Sequence, residues 1–177
     1  SIDDLQTLRK FGSKLQGHPH REYLSSLETS SGPLGSGLSQ AVGMAIASRI
    51  DHGATSGPFI YALLSDGEHD CGNIWEGAML AGKEKLRNLI AFVDRNNIQI
   101  DGFTENIMPL EPLADKWRAW NWHVLEIDGH NMQEIVEAVN QAKAVFEKPT
   151  VIIAHTIPGK GVPEFERKFE WHGKPPN

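Results

Sequence analysis

Asp66 and Asn96 are the residues from which a chemistry can be read. Asp66 stands in Ser65-Asp66-Gly67-Glu68, directly behind the apolar run Phe59 to Leu64; Asn96 stands in Asp94-Arg95-Asn96-Asn97, directly behind a second apolar run, Leu89 to Val93. Short apolar runs bounded by polar turns read as buried strands, and the stretch between them reads as a helix. Two parallel strands joined by a crossover helix put both polar ends at the carboxyl edge of one sheet, where open α/β sheets bind ligands. Asp66 and Asn96 then meet across thirty residues of sequence. A carboxylate and an amide oxygen suit a hard cation, Mg²⁺ or Ca²⁺, which often brings ligand phosphates with it. The amino end of the helix, near Gly72, is expected to face the same anion. Taken singly, Asp-Gly after a strand and Asn-Asn before Gly102 are ordinary turn residues. Their pairing across one βαβ unit carries the reading.

The elements that must position these residues follow from the rest of the chain. Its 177 residues, 40% hydrophobic, suffice for one domain with a real core. Apolar residues at Ile2, Leu5, Leu8, Phe11 and Leu15 predict an amphipathic helix over Ile2 to Leu15, capped by Ser1 and stopped at Gly17-His18-Pro19. A second helix is predicted from about Leu38 to Ile50, with small residues Ala41, Gly43, Ala45 and Ala47 for close packing against a sheet or a neighbouring chain. The loop Asp51 to Pro58 leads into the first core strand. After Asn97, a short helix is expected over Pro109 to Trp117, a strand over Trp120 to Ile127, a helix over Met132 to Phe146 and a strand over Thr150 to Ala154. Strands alternating with helices imply right-handed crossovers and an α/β fold, a doubly wound parallel sheet with helices on both faces. The Asp128-Gly129-His130 turn has the look of a site but is expected to lie outside it.

Net charge −6 gives no electrostatic footprint for nucleic acid or an anionic membrane, so phosphate must be bound locally. No apolar stretch approaches a membrane span and no signal-peptide pattern opens the chain. The single cysteine, Cys71, excludes an internal disulfide and fits a reducing cytoplasm. No G-x-G-x-x-G follows any strand, which argues against a dinucleotide fold.

The stretch SDGE…WEGAMLAG…LIAFVDRNNIQIDG resembles the thiamine diphosphate fingerprint of transketolases, with Ser65 in place of the first glycine of Gly-Asp-Gly. Gly17-His18-Pro19 followed by Gly32-Pro33-Leu34 resembles the transketolase run in which the histidine faces the sugar and the Gly-Pro-Leu turn touches the aminopyrimidine of the cofactor. Trp171-His172-Gly173-Lys174 resembles the segment that returns a histidine, and in some members a lysine, to the diphosphate and substrate. The resemblance implies Asp66, Asn96 and the Ile98 carbonyl as metal ligands. It implies Gly32, Pro33, Leu34, Asp66, Gly67, Glu68, Asn96, Ile98, His172 and Lys174 as cofactor residues, and His18 and His172 as catalytic. Cys71 departs from the family, which carries an acidic residue there in a pair thought to connect two active sites; the other position is Glu76.

The same resemblance implies a single domain over residues 1–177 whose first part is missing, with a glycine-rich tail over 159–177 returning to the site. The chain opens without Met and reads as a fragment or as the amino-terminal subunit of a split transketolase. No candidate appears for the glutamate that activates the cofactor, which belongs to a pyrimidine-binding domain. The implied activity is transfer of a two-carbon ketol unit between sugar phosphates, together with a separate pyrimidine-binding chain or domain, in a homo- or hetero-oligomer. The alternatives are a deoxyxylulose-phosphate synthase, the E1 subunit of a dehydrogenase, and a non-catalytic binding or regulatory chain. An exposed apolar face around Gly43, Ala47 and the crossover helix is expected, and Asp66→Ala is expected to leave the fold intact because the site lies at an exposed strand end.

Overall fold

The computed structural model describes residues 2–175; the expected Ser1 cap lies outside them. A single helical turn, α1 (Ile2–Leu5), opens the chain, and α2 (Ser36–His52) leads into β1 (Ile60–Ser65). A 3₁₀ turn over Gly67–Asp70 precedes α3 (Gly72–Glu84), which crosses to β2 (Leu89–Arg95). A small excursion follows: β3 (Ile98–Gln99), β4 (Gly102–Phe103), α4 (Thr104–Ile107) and α5 (Leu113–Ala119). Then come β5 (His123–Asp128), α6 (Met132–Lys143) and β6 (Thr150–His155).

The four long strands form one parallel sheet in the order β1-β2-β6-β5. The chain steps from β1 to β2 and on to β5 in one direction, then returns from β5 to β6. Right-handed crossovers therefore send α3 and α5 to one face and α6 to the other. The packing agrees. One buried cluster joins Leu38 and Val42 of α2, Ile74 and Ala78 of α3, and Leu113 and Trp117 of α5 to Leu64, Val93 and Ile153 of the sheet; the other joins Ala138 and Ala142 of α6 to Ile90 and Ile152. Inside the first cluster Trp117 meets Trp122 edge to face with ring centroids 4.8 Å apart.

Two expectations need correction. The amphipathic helix over Ile2 to Leu15 stops after Leu5, because nothing covers its apolar stripe: Ile2, Leu5, Leu8 and Phe11 are all exposed, Phe11 completely. Most of a helix's stability comes from packing its apolar face, and here that contribution is missing. The sheet is also not covered everywhere. α6 shields the centre of its face, but Tyr61 and Leu63 of β1 stand exposed. The outward surfaces of α2 and α3 expose Gly43, Met44, Ala47, Ile50, Met79 and Leu80, the apolar face expected there.

Candidate functional site

β1 and β2 run in register, Ile60 beside Leu89 through Ser65 beside Asp94, so their polar ends emerge together. The Asp66 amide continues the ladder, donating to the Asp94 carbonyl at 3.2 Å. Asp66 is wholly buried. Its Oδ1 accepts from the Gly67 amide at 2.7 Å; its Oδ2 accepts from the Asn97 amide at 2.7 Å and from Arg95 Nη1 at 3.0 Å. Burial pushes this carboxyl above its ordinary range, and the Asn97 amide and Arg95 oppose that. Arg95, only 2% exposed, gives its Nη2 to Glu105 at 2.6 Å and to Glu111 at 2.9 Å. One buried guanidinium thus ties the fingerprint aspartate to the segment that follows β4. No pattern in the sequence singles out Arg95, because its acidic partners lie 10 and 16 residues away without helical spacing.

Beneath Asp66, His69 donates from Nδ1 to the carbonyls of Ser65 and Asp66, at 2.9 and 3.1 Å. Burial pushes its pKa down to about 4, so the ring is neutral. Its edges pack against Trp75 and Trp117, and Trp75 Nε1 donates to the His69 carbonyl at 2.9 Å. The turn that presents Asp66 is therefore braced from the core.

Glu68 has a positioning role. One carboxylate oxygen accepts from the Gly35 amide at 3.1 Å and the other from the Ser65 amide at 2.9 Å, so it clamps the Gly32-Pro33-Leu34-Gly35 loop onto the end of β1. That loop needs glycine where it bends. Gly32 has φ +126°, and a Cβ on it would stand 2.4 Å from His18 Cγ; one on Gly35, φ +81°, would stand 2.7 Å from Cys71 Cβ. His18 thus packs directly on the Gly-Pro-Leu turn, and Cys71 serves as a small residue under it.

Two cavities lie at this edge. The larger, about 410 Å³, is lined by Asp94, Asn96, Ile98 and Thr156 from the strand ends and by Lys168, His172 and Lys174, among others, from the tail. The smaller, about 200 Å³, includes Leu34, Gly67, Glu68, Ile98 and His172. Ile98 and His172 line both, so the two adjoin. Leu34, Gly67, Glu68, Asn96, Ile98, His172 and Lys174 are thereby gathered around one space. Asp66 lies behind its wall, and His18, Gly32 and Pro33 stand on its flank. The space is of the size that small-molecule sites have, with cationic side chains at one end. Gly72 lines neither cavity, so the α3 amino terminus, expected to face the anion, does not border this space; the 3₁₀ turn comes first and Gly67 gives its amide to Asp66.

The donor set fits a hard cation. Among the described residues no three His, Cys, Asp or Glu side chains converge on a metal position. A cation here would take one carboxylate together with an amide and a backbone carbonyl oxygen, as Asp66, Asn96 and Ile98 offer, leaving positions for phosphate. No helix among the described residues is long and apolar enough to cross a membrane.

Comparison with known proteins identifies the arrangement. The family model for the transketolase thiamine diphosphate binding domain matches residues 1–177. The chain is 49% identical over 171 residues to the 6-deoxy-6-sulfo-D-fructose transketolase subunit SqwG of Clostridium sp. (strain MSTE9), covering 97% of this chain and 61% of that one. It is 43% identical over 166 residues to one of the subunits of the apulose-4-phosphate transketolase of Phocaeicola vulgatus, covering 94% and 58%. It superposes on the crystal structure of transketolase from Campylobacter jejuni with a TM-score of 0.88 at 37% identity, covering 96% of this chain and 27% of that one. The chain thus spans about three-fifths of the two subunit relatives and about a quarter of the longer enzyme. With this fold, and with the fingerprint residues at one sheet edge, the chain belongs to the transketolase thiamine diphosphate binding domain family.

Proposed function

We propose that this chain supplies the diphosphate and metal half of a thiamine diphosphate-dependent transketolase, transferring a two-carbon ketol unit from a ketose phosphate to an aldose phosphate. The observation that carries the reading is the pair of adjoining cavities sharing Ile98 and His172. They gather most of the residues that the fingerprint, the Gly-Pro-Leu turn and the tail nominate separately in sequence.

When bound, the cofactor supplies the electron sink that lets the bond beside a ketose carbonyl break. The chain's own residues do the rest. Asp66, Asn96 and the Ile98 carbonyl hold a divalent cation, Mg²⁺ or Ca²⁺, and Lys174 with His172 meets the diphosphate. Leu34, 64% exposed at the mouth of the smaller cavity, gives a flat ring an apolar contact. His18 and His172 hydrogen-bond the sugar hydroxyls and move their protons, an imidazole offering both a donor and an acceptor nitrogen.

The activating glutamate comes from a pyrimidine-binding partner. Two relatives of comparable reach are named as subunits, which supports a separate partner chain. The exposed α2 and α3 surfaces then belong in an interface, in a homo- or hetero-oligomer working in the cytoplasm. The test is ketol transfer, assayed with a ketose phosphate donor and an aldose acceptor. The chain mixed with a pyrimidine-binding chain is expected to turn over, and neither alone. Turnover by the chain unaided, or none in any mixture that binds the cofactor, would refute the proposal.

A further inference from the structure

Between the fingerprint and the end of β6 runs a chain of hydrogen bonds that none of these roles uses. Asn96 Nδ2 donates to Asp94 Oδ2 at 2.9 Å, and Asn96 Oδ1 accepts from the Ile98 amide at 3.0 Å. The other Asp94 oxygen accepts from Thr156 Oγ1. The Thr156 amide donates to the Arg95 carbonyl at 3.2 Å, and the next amide, that of Ile157, donates to His130 Nε2 at 2.7 Å. The Asp128-Gly129-His130 turn thus has an occupation outside the cofactor shell. It seats the strand end that carries Thr156, and so closely that a Cβ on Gly129 would stand 2.5 Å from Thr156 Cγ2.

The two ends of a carboxamide are alike in size and opposite in chemistry. Only the oxygen can hold a cation; the NH₂ end would repel it. An ionised carboxylate accepts and cannot donate, so Asp94 can be served only by the NH₂ end of Asn96. The Ile98 amide takes one lone pair of Asn96 Oδ1 and leaves the other free. We propose that Asp94, held by Thr156 on the strand end that His130 anchors, is a positioning residue that turns the Asn96 amide oxygen toward the cation. This rests on the reading of Asn96 as a cation ligand. Outer residues of this kind orient metal ligands and commonly affect affinity as strongly as some ligands do.

The role makes a distinction between shape and charge. An asparagine at position 94 can accept from Asn96 with its carbonyl and donate its own NH₂ to the Thr156 hydroxyl, which keeps the orientation and removes the charge. The experiment titrates Mn²⁺, with thiamine diphosphate present, into the full chain in its native assembly. Free Mn²⁺ is followed by electron paramagnetic resonance, and metal-free thermal unfolding is recorded for each variant. Asp94→Ala is expected to weaken Mn²⁺ binding roughly 10- to 100-fold. Thr156→Val should weaken it less, while Asp94→Asn and Thr156→Ser stay near the parent and all four melt close to it without metal. Asp94→Ala binding like the parent would overturn the proposal. So would Asp94→Asn binding as weakly as Asp94→Ala, since charge or direct ligation would then be the role. Should Asp94→Ala not fold, Thr156→Val decides, and parent-like binding by it refutes the proposal. Asp66→Ala separates this from the underlying reading. If it leaves Mn²⁺ affinity unchanged, the cation site itself is misassigned; if it abolishes binding, only the Asp94 results bear on orientation.

Discussion

The two ends of the candidate site are built by different means. At the end proposed for the cation, Asp66 and Arg95 are buried at the meeting of two strands, every oxygen of Asp66 has a donor, and His69, Trp75 and Trp117 brace the turn from the core. At the end proposed to meet the sugar, His18, His172 and Lys174 are exposed, on segments without long regular structure. In the tail, Phe169 packs against Phe103 of β4, and Trp171 packs against Phe165 within the tail itself. Cations and diphosphate need fixed oxygen and nitrogen atoms, which a packed strand end provides without further ordering. A sugar held between two chains can be met by side chains that settle only on assembly.

Substitutions should therefore act differently at the two ends. The largest effect on stability is expected from Arg95→Met, which strands Asp66 as a buried carboxylate and frees Glu105 and Glu111. Breaking a buried ion pair from one side costs about 3–5 kcal/mol, to be read as a drop in the urea midpoint with unchanged slope. A loss under about 1 kcal/mol would show that the cation end is not the rigid one.

The pH dependence is the next largest. Burial holds His69 at about 4 in the fold, below its ordinary 6.5. The unfolded chain therefore binds more protons between those values, and stability falls as pH drops from about 6.5 to about 4. The group contributes no further loss below that, and its slope is at most about 1.4 kcal/mol per pH unit. His69→Leu should flatten this part of the profile, measured by urea unfolding across the range. An unaltered slope would mean that His69 is hydrated and the brace is loose.

The smallest effect on stability belongs to the sugar end. His172→Ala and Lys174→Ala should melt with the parent while weakening diphosphate-dependent binding in the assembled protein. A clear fall in melting temperature would show the tail to be part of the fold and erase the contrast.

How far all this is legible in the sequence depends on where each interaction's partners lie. The βαβ unit is legible because the runs Phe59 to Leu64 and Leu89 to Val93 are both unbroken apolar signatures, the second buried on both faces and the first on one, with Tyr61 and Leu63 exposed on the other. That Asp66 and Asn96 come to one sheet edge is legible because each directly follows one of two neighbouring parallel strands. The helix over Ile2 to Leu15 is misread because periodicity reports a face able to pack, not whether a partner surface is there. Arg95 and the Asp94 to Thr156 bond leave no trace because their partners come from separate elements, Thr156 from sixty-two positions on. Asp66 is also misjudged: a strand end looks exposed in sequence, yet Arg95 and the excursion after β2 close over it. Asp66→Ala is accordingly expected to cost stability as well as metal binding.

The most direct test of the half-site account is calorimetric titration of thiamine diphosphate into the chain, alone and with a pyrimidine-binding partner, in Mg²⁺ and in a chelator. The account predicts weak, Mg²⁺-dependent binding by the chain alone and a marked strengthening when the partner is added, both lost in the chelator. Binding that is equally tight without the metal, or that the partner leaves unchanged, would contradict it.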